Sequence, residues 1–189
     1  AQLNNIRGLF NVSDGIYQVR GYDVTSMSLI RGKTGWIVID PMVSVETAQA
    51  AMGLVNSTLG YYPVRAVVYS HPHVDHYQGV KGVTTQEEVD AGKVEIIAPE
   101  HFMEHALSEN VYAGNAMFRR ATYQYGIKLP RDPKGNVDIG LGKSPSTGTA
   151  SLIPPTIDIT HTGQTVTVDG VTMEFHLTEN TEAPVELDI

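Results

Sequence analysis

The run VRAVVYS at residues 64–70 is apolar without alternation, and it leads directly into SHPHVDHYQG at 70–79. A strand with apolar side chains on both faces has to be covered on both faces, which restricts the chain to a layered sheet architecture. If that strand ends near Ser70, then His71, His73, Asp75 and His76 all fall in the turn beyond its C-terminal end. In open α/β sheets that end is where ligand sites are built.

The neighbouring segments support a layered α/β reading. GIYQVRG (15–21), SMSLIRG (26–32) and GWIVIDP (35–41) are short β-branched or aromatic runs broken by glycine, with GKTG predicting a hairpin between the last two. SVETAQAAMGLVNSTLG (44–60) predicts a helix with Val45, Ala48, Met52, Val55 and Leu59 on one face, Ser44 as N-cap and Gly60 as the stop. VEIIAPE (94–100) predicts a second strand covered on both sides, and residues 100–126 a helical region broken near Gly114. Residues 127–156 hold much of the proline and glycine and predict a long surface loop, of the kind that is usually functional. QTVTVDGVTMEFHLT (164–178) predicts a hairpin turning at Asp169-Gly170.

Composition narrows the chemistry. A formal net charge of −8 argues against a nucleic-acid or anionic-membrane surface, and no stretch of apolar residues is long enough to span a bilayer. With no cysteine, any metal site must be assembled from His, Asp and Glu. Three imidazoles and a carboxylate suit zinc or a similar borderline divalent ion. His71 and His73, two positions apart on extended chain, can converge on one ion, while Asp75 and His76 point toward a second position. In this composition HxHxDH arises by chance in roughly one such sequence in two thousand, so a His-rich surface turn is the weaker reading. Residues 101–105, HFMEH, offer a rival H-x-x-E-H pattern with Glu104 as a base between His101 and His105. That pattern arises by chance in roughly one or two sequences per hundred, and a solvated helix face explains it better. His161 and His176 read as isolated surface residues, and Arg119-Arg120 as a surface pair rather than an anion clamp.

HxHxDH after a strand, with an upstream strand ending in Asp40, resembles the metallo-β-lactamase superfamily. Within it, GIYQVRGYDVTSMSLIRGKTGWIVIDP, HPHVDHYQGVKGV, IIAPEHFMEHALSENVYAGNAMFRRATYQYG, LGKSPSTGT and TENTEAPVE resemble the zinc-dependent alkyl sulfatases, which hydrolyse surfactants such as dodecyl sulfate. The resemblance implies an αββα sandwich, of which this chain supplies roughly the N-terminal half to two-thirds as one incomplete catalytic domain over residues 1–189. It implies two zinc ions, the first held by His71, His73 and Glu182 and the second by Asp75 and His76. Asp40 then orients the ligand turn without touching metal. Glu182 is singled out from Glu179 and Glu186 by the resemblance alone. No catalytic group beyond a metal-activated water is expected in this chain.

The family's remaining metal ligands, its sulfate-gripping residues, a helical dimerisation domain and a sterol-carrier-like domain have no counterpart in these 189 residues. The expectation is therefore a fragment that works with the rest of the same polypeptide or a companion fragment, as a homodimer, in the periplasm or outside the cell. An isolated half-sandwich is expected to expose apolar surface and sheet edges. HxHxDH fixes metals but not substrate, so a lactonase, thioesterase or β-lactamase, or a non-catalytic metal-binding protein, is the alternative.

Overall fold

Two sheets hold the strands of the computed structural model, which describes residues 6–136, 138, 139, 142, 144–178 and 180–189. Glu179 lies outside the described residues. The first sheet follows chain order: β1 (Gly8–Ser13), β2 (Ile16–Arg20), β3 (Met27–Arg31), β4 (Trp36–Ile39), β5 (Val64–Val68), β6 (Glu95–Pro99) and β7 (Ile157–Ile159). It is antiparallel up to β4 and parallel from β4 to β7. The second sheet is antiparallel, with β9 (Val171–Leu177) between β8 (Gln164–Val168) and β10 (Leu187–Asp188).

The switch to parallel pairing needs a crossover, and α1 (Val45–Leu59) provides it between β4 and β5. Ser44 caps the helix through its hydroxyl, which accepts from the Thr47 amide at 3.3 Å, and Gly60 ends it at φ 87°. Its buried face is Ala48, Ala51, Met52 and Val55, so the predicted stripe is right at its centre while Val45 and Leu59 are only half-buried.

β5 shows why its sequence does not alternate. Val64, Val67 and Tyr69 enter a core shared with α1 and with Phe102 and Ala106 of α3 (Phe102–Leu107). Ala66 and Val68 enter a second core between the sheets, with Ile37, Ile97 and Ile159 against Met173, Phe175 and Leu187. Each large side chain fully buried there contributes about 1.5–3 kcal/mol. The layering is thus helix on sheet on sheet.

The outer face of β8 and β9 carries Thr165, Thr167, Thr172, Glu174 and His176, all exposed. The apolar surface expected to be exposed therefore does not lie on this face. Exposed apolar side chains gather instead on the helical arm, including Tyr112, Phe118 and Tyr123. That arm is α3, a π-helical turn at Ser108–Tyr112, and α4 (Gly114–Tyr125), so the break falls at Ala113 beside the predicted glycine.

The pattern reading omits β1, β7 and α2 (Gln86–Asp90). Helix α2 had a signal, Thr85-x-x-Glu88, which forms a reciprocal capping box. Residues 127–156 contain no helix or strand among those described, yet they strap distant parts together. Ser146 donates to buried Asp23 at 2.7 Å, Thr149 to Glu46 at 2.7 Å, and Ser151 to the Gln78 carbonyl at 2.7 Å.

The β8–β9 turn also joins the two sheets. Asp169 (φ 50°) and Gly170 (φ 83°) make the predicted tight turn. The Asp169 carboxylate accepts from the Thr34 and Gly35 amides, both at 2.7 Å, and from the Thr34 hydroxyl at 2.8 Å. Slight burial pushes this carboxyl up, but the donors from Thr34 and Gly35 win and hold it below the ordinary value. A depressed folded pKa means stability that is present above the unfolded pKa and lost as pH falls through the folded one. Asp169→Ala is therefore expected to cost about 1 kcal/mol at neutral pH, after allowance for solvent screening, and to cost less in acid. Thermal melts of the two proteins at neutral pH and near pH 3 check this; an equal deficit at both would discount the charge.

Candidate metal centre

Asp40 and Ser70 sit side by side because β4 and β5 are parallel neighbours that end together. The Asp40 amide donates to the Val68 carbonyl at 3.0 Å. Asp40 and Met42 both have positive φ, 55° and 67°, an uncommon conformation for residues with a Cβ. This turns the Asp40 carboxylate across the end of β5. Its Oδ1 accepts from the Ser70 amide at 2.9 Å, and its Oδ2 from the Ser70 hydroxyl at 2.8 Å and from His76 Nδ1 at 2.8 Å. Beyond the cluster, Gly79 permits a close approach to the β4–α1 connection: a Cβ there would lie 1.9 Å from the Pro41 carbonyl oxygen.

These contacts set the histidine tautomers. The Ser70 hydroxyl spends its proton on Asp40, so it accepts from His71 Nδ1 at 3.0 Å. His76 gives its Nδ1 proton to Asp40 directly. His71 is left with Nε2 as its free nitrogen, the arrangement a metal-ligating histidine needs, while His76 turns its Nε2 toward Asp75. His71 Nε2 lies 3.1 Å from His73 Nδ1, and Glu182 Oε1 lies 3.8 Å from that same Nδ1. Ligand atoms of His71, His73 and Glu182 all fall within 4.8 Å of one another. Two imidazoles and a carboxylate are a donor set that fits zinc.

Asp75 and His76 form a second pair, with Asp75 Oδ2 3.2 Å from His76 Nε2 and accepting also from the Thr25 hydroxyl. Electrostatics favour a cation at both ends. Burial, followed by the nearby His76 and His73, pushes His71 down toward the neutral form that binds metal. Burial also disfavours charge on His76, but Asp40 and Asp75 overcome it and push that imidazole up to about 10. Burial raises Asp75, yet His76 and Thr25 prevail and hold it well below the usual carboxylate range. Among the described residues, the ion pairs around the cluster that involve Asp40, Asp75, Glu109, Glu182 and Glu186 are all to histidines.

All six residues anticipated from the sequence therefore lie together. Glu182 reaches the cluster because the Leu187 amide of β10 donates to the Ser70 carbonyl at 3.0 Å. Glu186 holds the turn before β10, its Oε2 accepting from the Glu182 amide at 3.0 Å and from the Thr181 hydroxyl. Thr25, Ser70, Glu109 and Glu186 were not anticipated. Only Ser70, adjacent to the motif, and Glu186, close to Glu182, offered any signal. The rival HFMEH pattern does not assemble. His101 begins α3 in the left-handed region and pairs with its neighbour Glu104 at 3.5 Å, in the open. His176 pairs with Glu174 at 3.0 Å on the sheet surface, and His161 is exposed beside Thr160. Arg119 and Arg120 are exposed on α4, with Arg119 Nε donating to the Asn115 carbonyl at 3.2 Å.

The histidine-carboxylate cluster lies at the strand ends of a layered α/β sheet, and the metallo-beta-lactamase superfamily profile matches residues 20–178. The chain belongs to that superfamily. Over nearly its whole length it is similar, more narrowly, to alkylsulfatases. A linear primary-alkylsulfatase of Pseudomonas sp. is 53% identical over 187 residues, covering 99% of this chain and 28% of that protein. An alkyl/aryl-sulfatase of Saccharomyces cerevisiae is 48% identical, covering 99% of this chain and 29% of its own. The solved structure of a stereoselective inverting sec-alkylsulfatase from Pseudomonas sp. superposes with a TM-score of 0.94 at 46% identity, over 98% of this chain and 30% of that one. The chain thus spans less than a third of the relatives it matches. A metallo-beta-lactamase from Hirschia baltica, at 13% identity and TM-score 0.55, shares the fold alone.

Proposed function

We propose that this chain is the metal-binding portion of a longer zinc-dependent alkyl sulfatase that cleaves alkyl sulfate esters, such as dodecyl sulfate, to alcohol and sulfate. The observation that carries the reading is the convergence of His71, His73 and Glu182, in a chain 53% identical to an alkylsulfatase over 187 residues. In this reading His71, His73 and Glu182 hold one zinc ion. Asp75 and His76 contribute to a second, whose further ligand comes from the rest of the polypeptide, since a catalytic zinc takes three protein ligands.

When bound, zinc lowers the pKa of a coordinated water toward about 7 and offsets the charge of an anionic ester. The chain's own residues prepare for this. Asp40 and Ser70 hold His71 in the tautomer that leaves Nε2 free, and Asp40 accepts from His76 Nδ1. Thr25 steadies the Asp75 carboxylate. Glu182, with 64% of its side chain exposed against 2% for His71, marks the side open to solvent and therefore to substrate. The family resemblance also supports a homodimer that works in the periplasm or outside the cell.

Sulfate release from dodecyl sulfate by the full-length protein tests the reading, alongside a lactone, a thioester and a cephalosporin. The expected result is turnover of the sulfate ester alone, abolished by a chelator and restored by zinc. Turnover that survives exhaustive chelation, or hydrolysis of another substrate with dodecyl sulfate untouched, would overturn it.

A further inference from the structure

We propose that Glu109 is a positioning residue for His73, selecting which nitrogen of that imidazole is offered to the metal. The inference rests on the proposed metal centre and adds a residue from outside the motif. His73 faces two ways: its Nδ1 lies in the cluster, 3.1 Å from His71 Nε2 and 3.8 Å from Glu182 Oε1, while its Nε2 lies 3.7 Å from Glu109 Oε2. That last separation is an ion-pair contact, longer than a hydrogen bond. A carboxylate on that side favours the proton on Nε2 and leaves the Nδ1 lone pair for the cation. The other two histidines are oriented by Asp40, directly or through Ser70, and His73 is beyond that network. Among the described residues, Glu109 is the one carboxylate within ion-pair reach of His73 Nε2.

The backbone delivering Glu109 supports the assignment. Glu109 lies in the π-helical turn Ser108–Tyr112 that follows α3. A π turn takes one more residue than an α turn, and such turns concentrate at functional sites because they re-aim side chains. The turn is pinned to the ligand loop on both sides of His73. Asn110 Nδ2 donates to the Pro72 carbonyl at 3.4 Å and to the Tyr77 hydroxyl at 3.3 Å. Glu109 and His73 are 24% and 28% exposed, which shelters their contact from full solvent screening.

Zinc affinity of the full-length protein, measured by chelator competition, tests this together with the melting temperature of the zinc-free form. Glu109→Gln keeps the shape and removes the charge; Glu109→Ala removes both; Glu104→Gln, on the exposed side of α3, is the control. Zinc binding is expected to weaken about 10- to 100-fold in both Glu109 variants, with the zinc-free melt and the control unchanged. A parent that binds zinc while both variants stay within about twofold of it overturns the positioning role. Loss of zinc only in step with a lowered zinc-free melt, in Glu109→Gln as in Glu109→Ala, overturns it too by making Glu109 structural. A parent that binds no zinc overturns the metal centre itself, and with it this inference.

Discussion

His71→Ala is expected to strip zinc from the first position and to reduce sulfate release by about 10²–10³ or more. His71 is 2% exposed and is the innermost of the three converging ligands. Without it only His73 and Glu182 remain at that position, one short of the three protein ligands a catalytic zinc takes. The truncation also leaves a polar hole beside Ser70, so far-UV dichroism and a thermal melt must accompany the metal analysis. His71→Gln, which fills most of the volume, separates loss of the ligand from loss of packing. A folded variant that keeps its full complement of zinc would refute the assignment.

Asp40→Ala should be nearly as damaging although Asp40 touches no metal in the proposed site. Three donors lose their acceptor together: the Ser70 amide, the Ser70 hydroxyl and His76 Nδ1. Each buried donor left unsatisfied costs about 1–3 kcal/mol, and water reaching the gap recovers part, so a net loss of about 2–4 kcal/mol is expected. The φ of 55° adds to it, since alanine tolerates that conformation less well than aspartate. Freed from Asp40, His71 and His76 no longer hold one tautomer, and zinc affinity should fall about 10- to 100-fold. Asp40→Asn keeps the shape and tolerates the backbone angle, but it offers one oxygen to three donors and should fall between. Parental melting and parental zinc affinity in Asp40→Ala would show that the network has no orienting role.

The cluster was legible in the sequence because its members are local and chemically unusual. His71, His73, Asp75 and His76 occupy six positions, and the apolar run before them announces a strand end. Asp40 ends another apolar run, but its orienting role came only with the resemblance. Glu182 was reachable only through resemblance, because glutamates near it have the same local chemistry and tertiary docking decides which faces the histidines. Glu109 had no local signal at all: its role depends on a π turn that no side-chain pattern announces. Of the strands missed by pattern, β7 is three residues long, too short to show a period, and β1, six residues long, has no alternation of buried and exposed positions. The strap at 144–153 was read correctly as loop, but its attachments to Asp23, Glu46 and Gln78 are tertiary facts.

The docking of β10 on the end of β5 bears on how the protein reaches its folded state. His71 and Glu182 are more than a hundred residues apart in the chain, yet they meet through the bond from the Leu187 amide to the Ser70 carbonyl, the burial of Leu187 between the sheets and the turn that Glu186 holds. Contacts of such separation pay their loop-closure entropy before they return any energy, so they form late and open early. In the proposed site, an ion shared by His71, His73 and Glu182 would act as a clip across that loop, stabilising the closed chain in proportion to how much tighter it binds folded than unfolded protein. Removing that ion is expected to speed hydrogen exchange at the Leu187 amide before it affects the central strands of the first sheet.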